Sequence, residues 1–128
     1  MTVYAETDFL LALAKDTDWL QRSAADALVE YDIETSPFSY LELLLARERY
    51  EFDYVALIAN LLELVPVRNE EETQIVLKAV NYYDEGMTPF DAFHAATAET
   101  RGMDVLSSEK DYDDIEVERV PLEPTDGE

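Results

Sequence analysis

Apolar and polar residues follow two different periods along this chain, and together these periods predict short strands alternating with helices. Runs rich in β-branched and aromatic residues predict the strands, which are residues 2–6, 32–35, 65–67, 104–107 and 115–118. Apolar stripes at helical spacing predict the helices, which are residues 9–15, 19–31, 39–50, 53–64, 69–83 and 90–100. This alternation favours an α/β fold, a three-layer sandwich with a short central parallel sheet flanked by helices.

Polar residues and a proline mark where several helices begin. Thr88 followed by Pro89 places a capping hydroxyl before a ring that is preorganised for the first helical turn. Asn69 can cap the helix that follows it, and Asp16–Asp18 offers caps for the helix that begins near Trp19. These signals locate helix starts independently of the apolar pattern.

The composition indicates one domain without thiol chemistry. The chain has 128 residues, of which 48% are hydrophobic, so it has the length for one domain and enough apolar side chain to fold. It contains no cysteine, which excludes a disulfide scaffold, a thiolate zinc site and a cysteine nucleophile. No apolar stretch approaches the roughly 20 residues that span a bilayer, so we expect a soluble, cytoplasmic protein. We expect the domain at residues 1–122 and a mobile acidic tail at 123–128.

The chain is strongly acidic, with 30 acidic against 9 basic side chains and a formal charge of −21. Such a protein repels phosphate backbones in dilute buffer, because cationic side chains normally supply the affinity for nucleic acid. The excess acid is spread over every polar face, which is typical of a halophilic protein of archaeal character. In salt near 1 M the Debye length falls to about 3 Å and the repulsion is screened. The charge therefore does not exclude a nucleic-acid substrate.

Acidic residues recur where an α/β fold gathers strand ends and helix starts. They follow the first strand, interrupt a leucine-rich helix, begin a late helix and follow a late strand. They are Glu6, Asp8, Glu42, Asp91, Glu109 and Asp111. Carboxylates that converge in one cleft repel each other unless a cation holds them, and oxygen ligands without a histidine or thiolate cluster favour Mg²⁺ or Mn²⁺. Such an ion can activate water for attack on a phosphodiester.

Composition offers a second explanation for the same acids. Nearly a quarter of the chain is acidic, so loop positions often carry Asp or Glu without any function. Position is more informative for Glu42, which stands between Leu41 and Leu43. An acid in so apolar a run either lies on an exposed edge or is held by a partner.

Four segments that carry these acids form an ordered set. They are Glu6-Thr7-Asp8, Glu42-Leu43-Leu44, Asp91-Ala92-Phe93-His94-Ala95-Ala96-Thr97-Ala98 and Ser107-Ser108-Glu109-Lys110-Asp111-Tyr112. The set resembles the motifs of the PIN-domain family of small metal-dependent ribonucleases, and in particular the VapC-type toxins of VapBC toxin-antitoxin pairs. The resemblance spans residues 3–121, and its third segment is the most specific. Glu6 and Glu109 stand where the family usually has Asp.

The resemblance implies a PIN-like fold and an endoribonuclease that depends on Mg²⁺ or Mn²⁺. It implies one or two ions held by carboxylates, namely Glu6 or Asp8, Glu42, Asp91, and Glu109 or Asp111. Thr7 and Ser107 would orient ligands or water. An activated water would attack an RNA phosphodiester in line and leave a 5′-phosphate. A protein of this type would pair with a separate antitoxin protein and form a homodimer.

His94 and three arginines have a functional and a structural interpretation. His94 lies one helical turn after Asp91, and we favour a packing or helix-contact role over a role as ligand. Arg22, Arg47 and Arg49 could meet RNA phosphates, but ion pairing with the abundant acids is the simpler explanation.

Four aromatic residues leave two structural roles open. Tyr40, Tyr50, Phe52 and Tyr54 would form either a hydrophobic groove for a partner helix or second subunit, or part of the core. Two other functions also stay open for the whole chain. One is a catalytically weakened PIN-like module that binds RNA or protein, and the other is an acidic scaffold without metal.

Overall fold

Six helices and four short strands make up the part of the chain that the structure, a computed structural model, describes: residues 1–15, 19–46 and 53–124. The strands are β1 (Thr2–Tyr4), β2 (Asp32–Glu34), β3 (Val105–Ser107) and β4 (Arg119–Pro121). The helices are α1 (Thr7–Ala14), α2 (Gln21–Glu30), α3 (Pro37–Leu45), α4 (Tyr54–Leu64), α5 (Glu70–Asp84) and α6 (Pro89–Thr100). A 3₁₀ helix, Lys110–Asp114, lies between β3 and β4.

The strands form two parallel pairs. In one pair Val3 of β1 lies opposite Ile33 of β2, and in the other Leu106 of β3 lies opposite Val120 of β4. Parallel neighbours need a crossover connection, which α1 and α2 provide between β1 and β2. The predicted α/β fold, with short parallel strands flanked by helices, is confirmed.

Two of the predicted strands are wrong. Residues 65–67 form no strand, because Pro66 has no N–H to donate to a neighbouring strand. The Pro66 carbonyl still accepts a hydrogen bond from the Thr35 amide at 2.9 Å. Residues 115–118 form no strand either. The last strand begins at Arg119. This residue lies opposite Val105, the first of the three residues of β3.

Helix α3 lies in the hydrophobic core and carries Glu42. It packs against α1, α5 and α6, and its side chains Tyr40, Leu43 and Leu44 are almost completely buried. The Tyr40 hydroxyl donates to the Val65 carbonyl at 2.8 Å, and burial raises the pKa of this phenol. The backbone around Glu42 is therefore fixed by packing on several sides.

Of the four aromatic residues with two possible roles, two belong to the core. Tyr40 and Tyr54 are buried, so they do not line an exposed groove. Tyr50 and Phe52 lie outside the described residues, as do Arg47 and Arg49, two of the arginines considered for RNA.

Two predicted helix caps are confirmed. The Asn69 side chain accepts from the Glu72 amide at 2.9 Å, and the Thr88 hydroxyl accepts from the Asp91 amide at 3.3 Å. These bonds satisfy amides that have no partner inside the helix. The third predicted cap, Asp16–Asp18, lies outside the described residues.

The structure describes the C-terminal segment as far as residue 124. Glu123, where the predicted acidic tail begins, accepts a hydrogen bond from Arg119 at 2.9 Å, whereas residues 125–128 lie outside the described residues. None of the described helices has the length and apolar character needed to cross a membrane.

Candidate active site

The end of β1 is held firmly at the point where α1 begins. The Ala5 amide donates to the Glu34 carbonyl at 2.8 Å, and the Ala5 carbonyl accepts from the Thr35 hydroxyl at 2.7 Å. Thr35 is itself buried. These bonds tie the chain to the end of β2, so the next residues leave the strand in a defined direction.

Thr7 and Glu42 form the first pair of predicted site residues that the structure brings together. The Thr7 hydroxyl donates to Oε1 of Glu42 at 2.7 Å and lies 3.4 Å from the Ser39 carbonyl. Thr7 is buried, and Glu42 is half-buried. Of the two interpretations of an acid in this leucine-rich run, the partnered one is confirmed. The bond joins α1 to α3 and restricts the rotation of the Glu42 carboxylate.

Three hydroxyl groups extend this pair toward the surface. The Tyr4 hydroxyl lies 2.7 Å from the Ser36 hydroxyl and 3.3 Å from that of Ser39. The hydrogen bond with Ser36 is the main reason that the pKa of Tyr4 is lowered, and the charge of Glu42 opposes the shift. We did not predict this chain of hydroxyls; the spacing of Ser36 and Ser39 by one helical turn is the signal that could have suggested it.

Asp91 and Tyr112 form the second pair. Asp91 is half-buried in the first turn of α6, and its Oδ1 accepts a hydrogen bond from the Tyr112 hydroxyl at 3.2 Å. Burial raises the pKa of Tyr112 far above its ordinary value, and the charges of Asp91, Glu109 and Asp111 add to this effect. The phenol is therefore a neutral donor at physiological pH. Sequence reasoning assigned no role to Tyr112.

Glu109 and Asp111 lie in the turn that carries Tyr112, and both are exposed. The Glu109 amide donates to the Ser107 hydroxyl at 2.9 Å, so Ser107 organises the turn that follows β3. Asp111 lines a cavity of about 270 Å³ together with Glu85 and Met87. The predicted orienting residue Ser107 is thus next to a predicted ligand, and its hydroxyl accepts a backbone hydrogen bond.

Glu6 and Asp8, the acids that follow β1, are also exposed. Glu6 stands immediately before α1, and its side chain makes no capping hydrogen bond there. Asp8 lines a mainly apolar cavity of about 190 Å³ between α1 and α2, with Phe9 and Leu20 among its walls. Asp8 and Asp111 therefore face two separate depressions of the surface.

The structure brings the predicted acids onto adjoining elements, but it does not gather them around one point. Helices α3 and α6, which carry Glu42 and Asp91, pack against each other. Within the described residues, no three His, Asp or Glu side chains are grouped so that they could hold a metal ion. The two hydrogen-bonded pairs are what the structure shows directly.

The chemistry of the donor set nevertheless fits a hard divalent cation. Every candidate ligand is a carboxylate, the oxygen donor that Mg²⁺ prefers in proteins. Glu42 uses Oε1 for Thr7 and Asp91 uses Oδ1 for Tyr112, and among the described residues no hydrogen bond engages the second oxygen of either group. Hydroxyl donors behind ligating carboxylates orient such ligands toward a metal.

His94 differs from its predicted packing role. It is exposed and lines a cavity of about 340 Å³ with Ser107 and Tyr112. His94 lies one turn after Asp91, on nearly the same side of α6. The buried face of this helix is formed instead by Ala92, Ala95 and Ala96. His94 therefore lies at the cavity that Tyr112 also lines, and not in the core.

Comparison with models of protein families gives a match over most of the chain. The sequence model of the family described as PIN domain matches residues 3–118. No curated protein matches the chain. The match covers all six candidate acids and both hydrogen-bonded pairs.

Proposed function

The chain belongs to the PIN domain family, whose members are generally nucleases, and on that premise we propose that it is an endoribonuclease dependent on Mg²⁺ or Mn²⁺. The observation that carries the proposal is the pairing of Glu42 with Thr7 and of Asp91 with Tyr112. Two acids from distant parts of the sequence are each held by a buried hydroxyl, on helices that pack together. Surface acids that serve only for solvation do not need such partners.

The proposed ligands fall into a central and a flanking set. Glu42 and Asp91 form the central set, since both are half-buried and hydrogen-bonded. The flanking set comes from the exposed turns after the strands, namely Glu6 or Asp8 and Glu109 or Asp111. Exposed acids can change rotamer when a cation approaches, because little packing holds them.

Each remaining residue of the site has a role that its contacts support. When bound, a divalent ion supplies charge stabilisation at the phosphodiester and lowers the pKa of water. Thr7 holds the Glu42 carboxylate in one rotamer, which removes a cost of ordering that ligand. Ser107 holds the turn that carries Glu109. We propose hydrolysis by in-line attack of water, leaving a 5′-phosphate.

A cleavage assay tests the proposal. We expect the protein, freed of metal with EDTA, to cut single-stranded RNA after addition of Mg²⁺ or Mn²⁺ and to release fragments with 5′-phosphate ends. Binding of intact RNA without cutting under any of these conditions would instead establish the weakened PIN-like module. That alternative has one observation in its favour, the dispersed acids of the described residues. If the protein neither binds nor cuts RNA and does not bind metal, the acidic scaffold is the function that remains.

The biological setting is a finer proposal on the same premise. We propose a VapC-type toxin that acts in the cytoplasm, is neutralised by a separate antitoxin protein and forms a homodimer. We propose that protein partners bind at large exposed apolar side chains, which include Trp19, Val29 and Phe38. The apolar walls of the cavity between α1 and α2 offer a further surface that a partner side chain could fill.

The charge supports a halophilic origin, and it gives a prediction about stability. With a formal charge of −21, repulsion between surface acids opposes the compact state in dilute buffer. Raising KCl from 0.1 M to 2 M should raise the Tm by on the order of 5 °C, because the Debye length falls from about 10 Å to below 3 Å. Calorimetry at the two concentrations measures the shift. An equal or lower Tm in 2 M KCl would contradict the halophilic assignment.

A further inference from the structure

A hydrogen bond from the Tyr112 hydroxyl joins the two residues of the second pair. Tyr112 is only 3% exposed, yet its hydroxyl reaches Oδ1 of the half-buried Asp91 at 3.2 Å. The two residues lie 21 positions apart in sequence, on the 3₁₀ helix and on α6. A buried ring fixes where the hydroxyl stands, so the bond restrains the carboxylate and not the phenol.

An arginine fixes the turn that carries Tyr112. The Arg119 side chain is 8% exposed, and its Nε and Nη2 donate to the two carboxylate oxygens of Asp113 at 2.8 and 3.2 Å. Its Nη1 donates to the Ser107 carbonyl at 2.7 Å and to Glu123 at 2.9 Å. Arg119 thus joins the end of β3 to the residue after Tyr112. A two-point arginine bond fixes orientation as well as distance.

The surroundings of Asp91 show which group restrains its carboxylate. Glu109 and Asp111 lie in the same turn as Tyr112, and their charges act on the phenol together with the charge of Asp91. Thr88 bonds to the Asp91 amide, which fixes the backbone but leaves the side chain free to rotate. The Tyr112 hydroxyl is the group that holds the carboxylate, and both Tyr112 and His94 border an open cavity of about 340 Å³. Tyr112 is therefore next to space that solvent and a ligand can enter.

We propose that Tyr112 is a positioning residue, which orients the Asp91 carboxylate toward a divalent cation while Arg119 holds the turn beneath it. This inference rests on the proposed function. It differs from that function in assigning part of the cation affinity to a phenol that touches neither cation nor RNA. A phenylalanine at this position would fill the same space and leave Asp91 unrestrained.

Tyr112→Phe tests the proposal through Mn²⁺ binding, followed by electron paramagnetic resonance of free Mn²⁺. We expect the Kd for Mn²⁺ to rise about tenfold, the lower end for loss of a group behind a metal ligand. The KM for RNA should stay unchanged, and saturating Mn²⁺ should restore most of the cleavage rate. A merely structural role would lower activity without this rescue by metal.

Tyr82→Phe is the matched control. Tyr82 lies on α5 and is also buried, and burial together with Glu99 raises its pKa to about 12. The acids whose charges act on it are Glu99, Glu116 and Glu85, none of which is a candidate ligand. Its variant should leave the Kd for Mn²⁺ unchanged. If Tyr112→Phe fails to fold, Arg119→Lys, which loses the two-point bond to Asp113 and keeps the charge, should weaken Mn²⁺ binding in the same direction.

The failures of the two proposals are distinguishable. Equal Mn²⁺ affinity in folded Tyr112→Phe and in the unaltered protein overturns the positioning role and leaves the metal-dependent nuclease intact. Absence of Mn²⁺ binding to the unaltered protein overturns both. Weakened binding in Tyr112→Phe together with an RNA that is never cut supports the positioning role and overturns the nuclease.

Discussion

Asp91→Asn is expected to lower the rate of metal-dependent RNA cleavage about 1,000-fold, because metal-ion catalysis is worth several kcal/mol and each 1.36 kcal/mol is tenfold in rate. Asparagine has the same shape as aspartate, and its carbonyl can still accept the hydrogen bond from Tyr112. What it lacks is the negative charge that binds a cation. Single-turnover cleavage of a labelled RNA measures the effect.

The fold should survive this substitution. Asp91 lies in the first turn of α6, where its charge interacts favourably with the helix dipole by about 0.3–1 kcal/mol. Loss of that term is small against the stability of about 5–15 kcal/mol that is usual for a domain. Circular dichroism and the Tm would show whether the variant is folded. A large loss of structure would remove the basis for assigning the loss of cleavage to the charge.

Matched variants separate the site from the general acidity of the chain. Glu42→Gln should lower cleavage in the same direction as Asp91→Asn, because Glu42 is the other half-buried and hydrogen-bonded acid. Asp26→Asn removes the same charge from an exposed position on α2 and should have almost no effect. If all three variants cut RNA as fast as the unaltered protein, the proposed ligands are not ligands.

Local signals predicted much of the fold. The caps at Asn69 and Thr88 depend on contacts within three residues, which a sequence displays directly. The α/β class follows from segments with strand-like and helix-like spacing of apolar residues in alternation, and this spacing is also a local signal. The last strand was misplaced because its position depends on the register with β3, whereas the apolar-polar alternation at residues 115–118 ends at Arg119, where the observed strand begins.

The candidate site was predictable in its residue types and not in its contacts. Motif resemblance named Glu42, Asp91 and Thr7, and the structure joins Thr7 to Glu42 at 2.7 Å. Tyr112 was missed because no periodicity or spacing predicts that a phenol 21 residues away donates to Asp91. Such contacts depend on the path of the turn after β3, which Arg119 sets through bonds to groups distant in sequence.

Helix α3 links the stability of the core to the geometry of the site, so Leu43→Ala should disturb both. Leu43 is completely buried and directly follows Glu42. Truncation of a buried leucine to alanine costs about 2–5 kcal/mol, from lost burial and from the cavity that remains. For this domain that is a large part of the total, and urea unfolding would measure it.

The matched control for this prediction is Leu45→Ala, which makes the same chemical change on the same helix. Leu45 is 45% exposed, so its truncation should cost less than about 1 kcal/mol. Any relaxation of α3 into the cavity at Leu43 would also move Glu42 relative to Thr7, and Mn²⁺ binding by the folded Leu43→Ala protein should weaken. Equal costs for the two leucine variants would contradict the central position of α3. Unaltered Mn²⁺ affinity in a destabilised Leu43→Ala protein would show that the carboxylate of Glu42 tolerates movement of its helix, and hence that the bond from Thr7 does not set the geometry of the site.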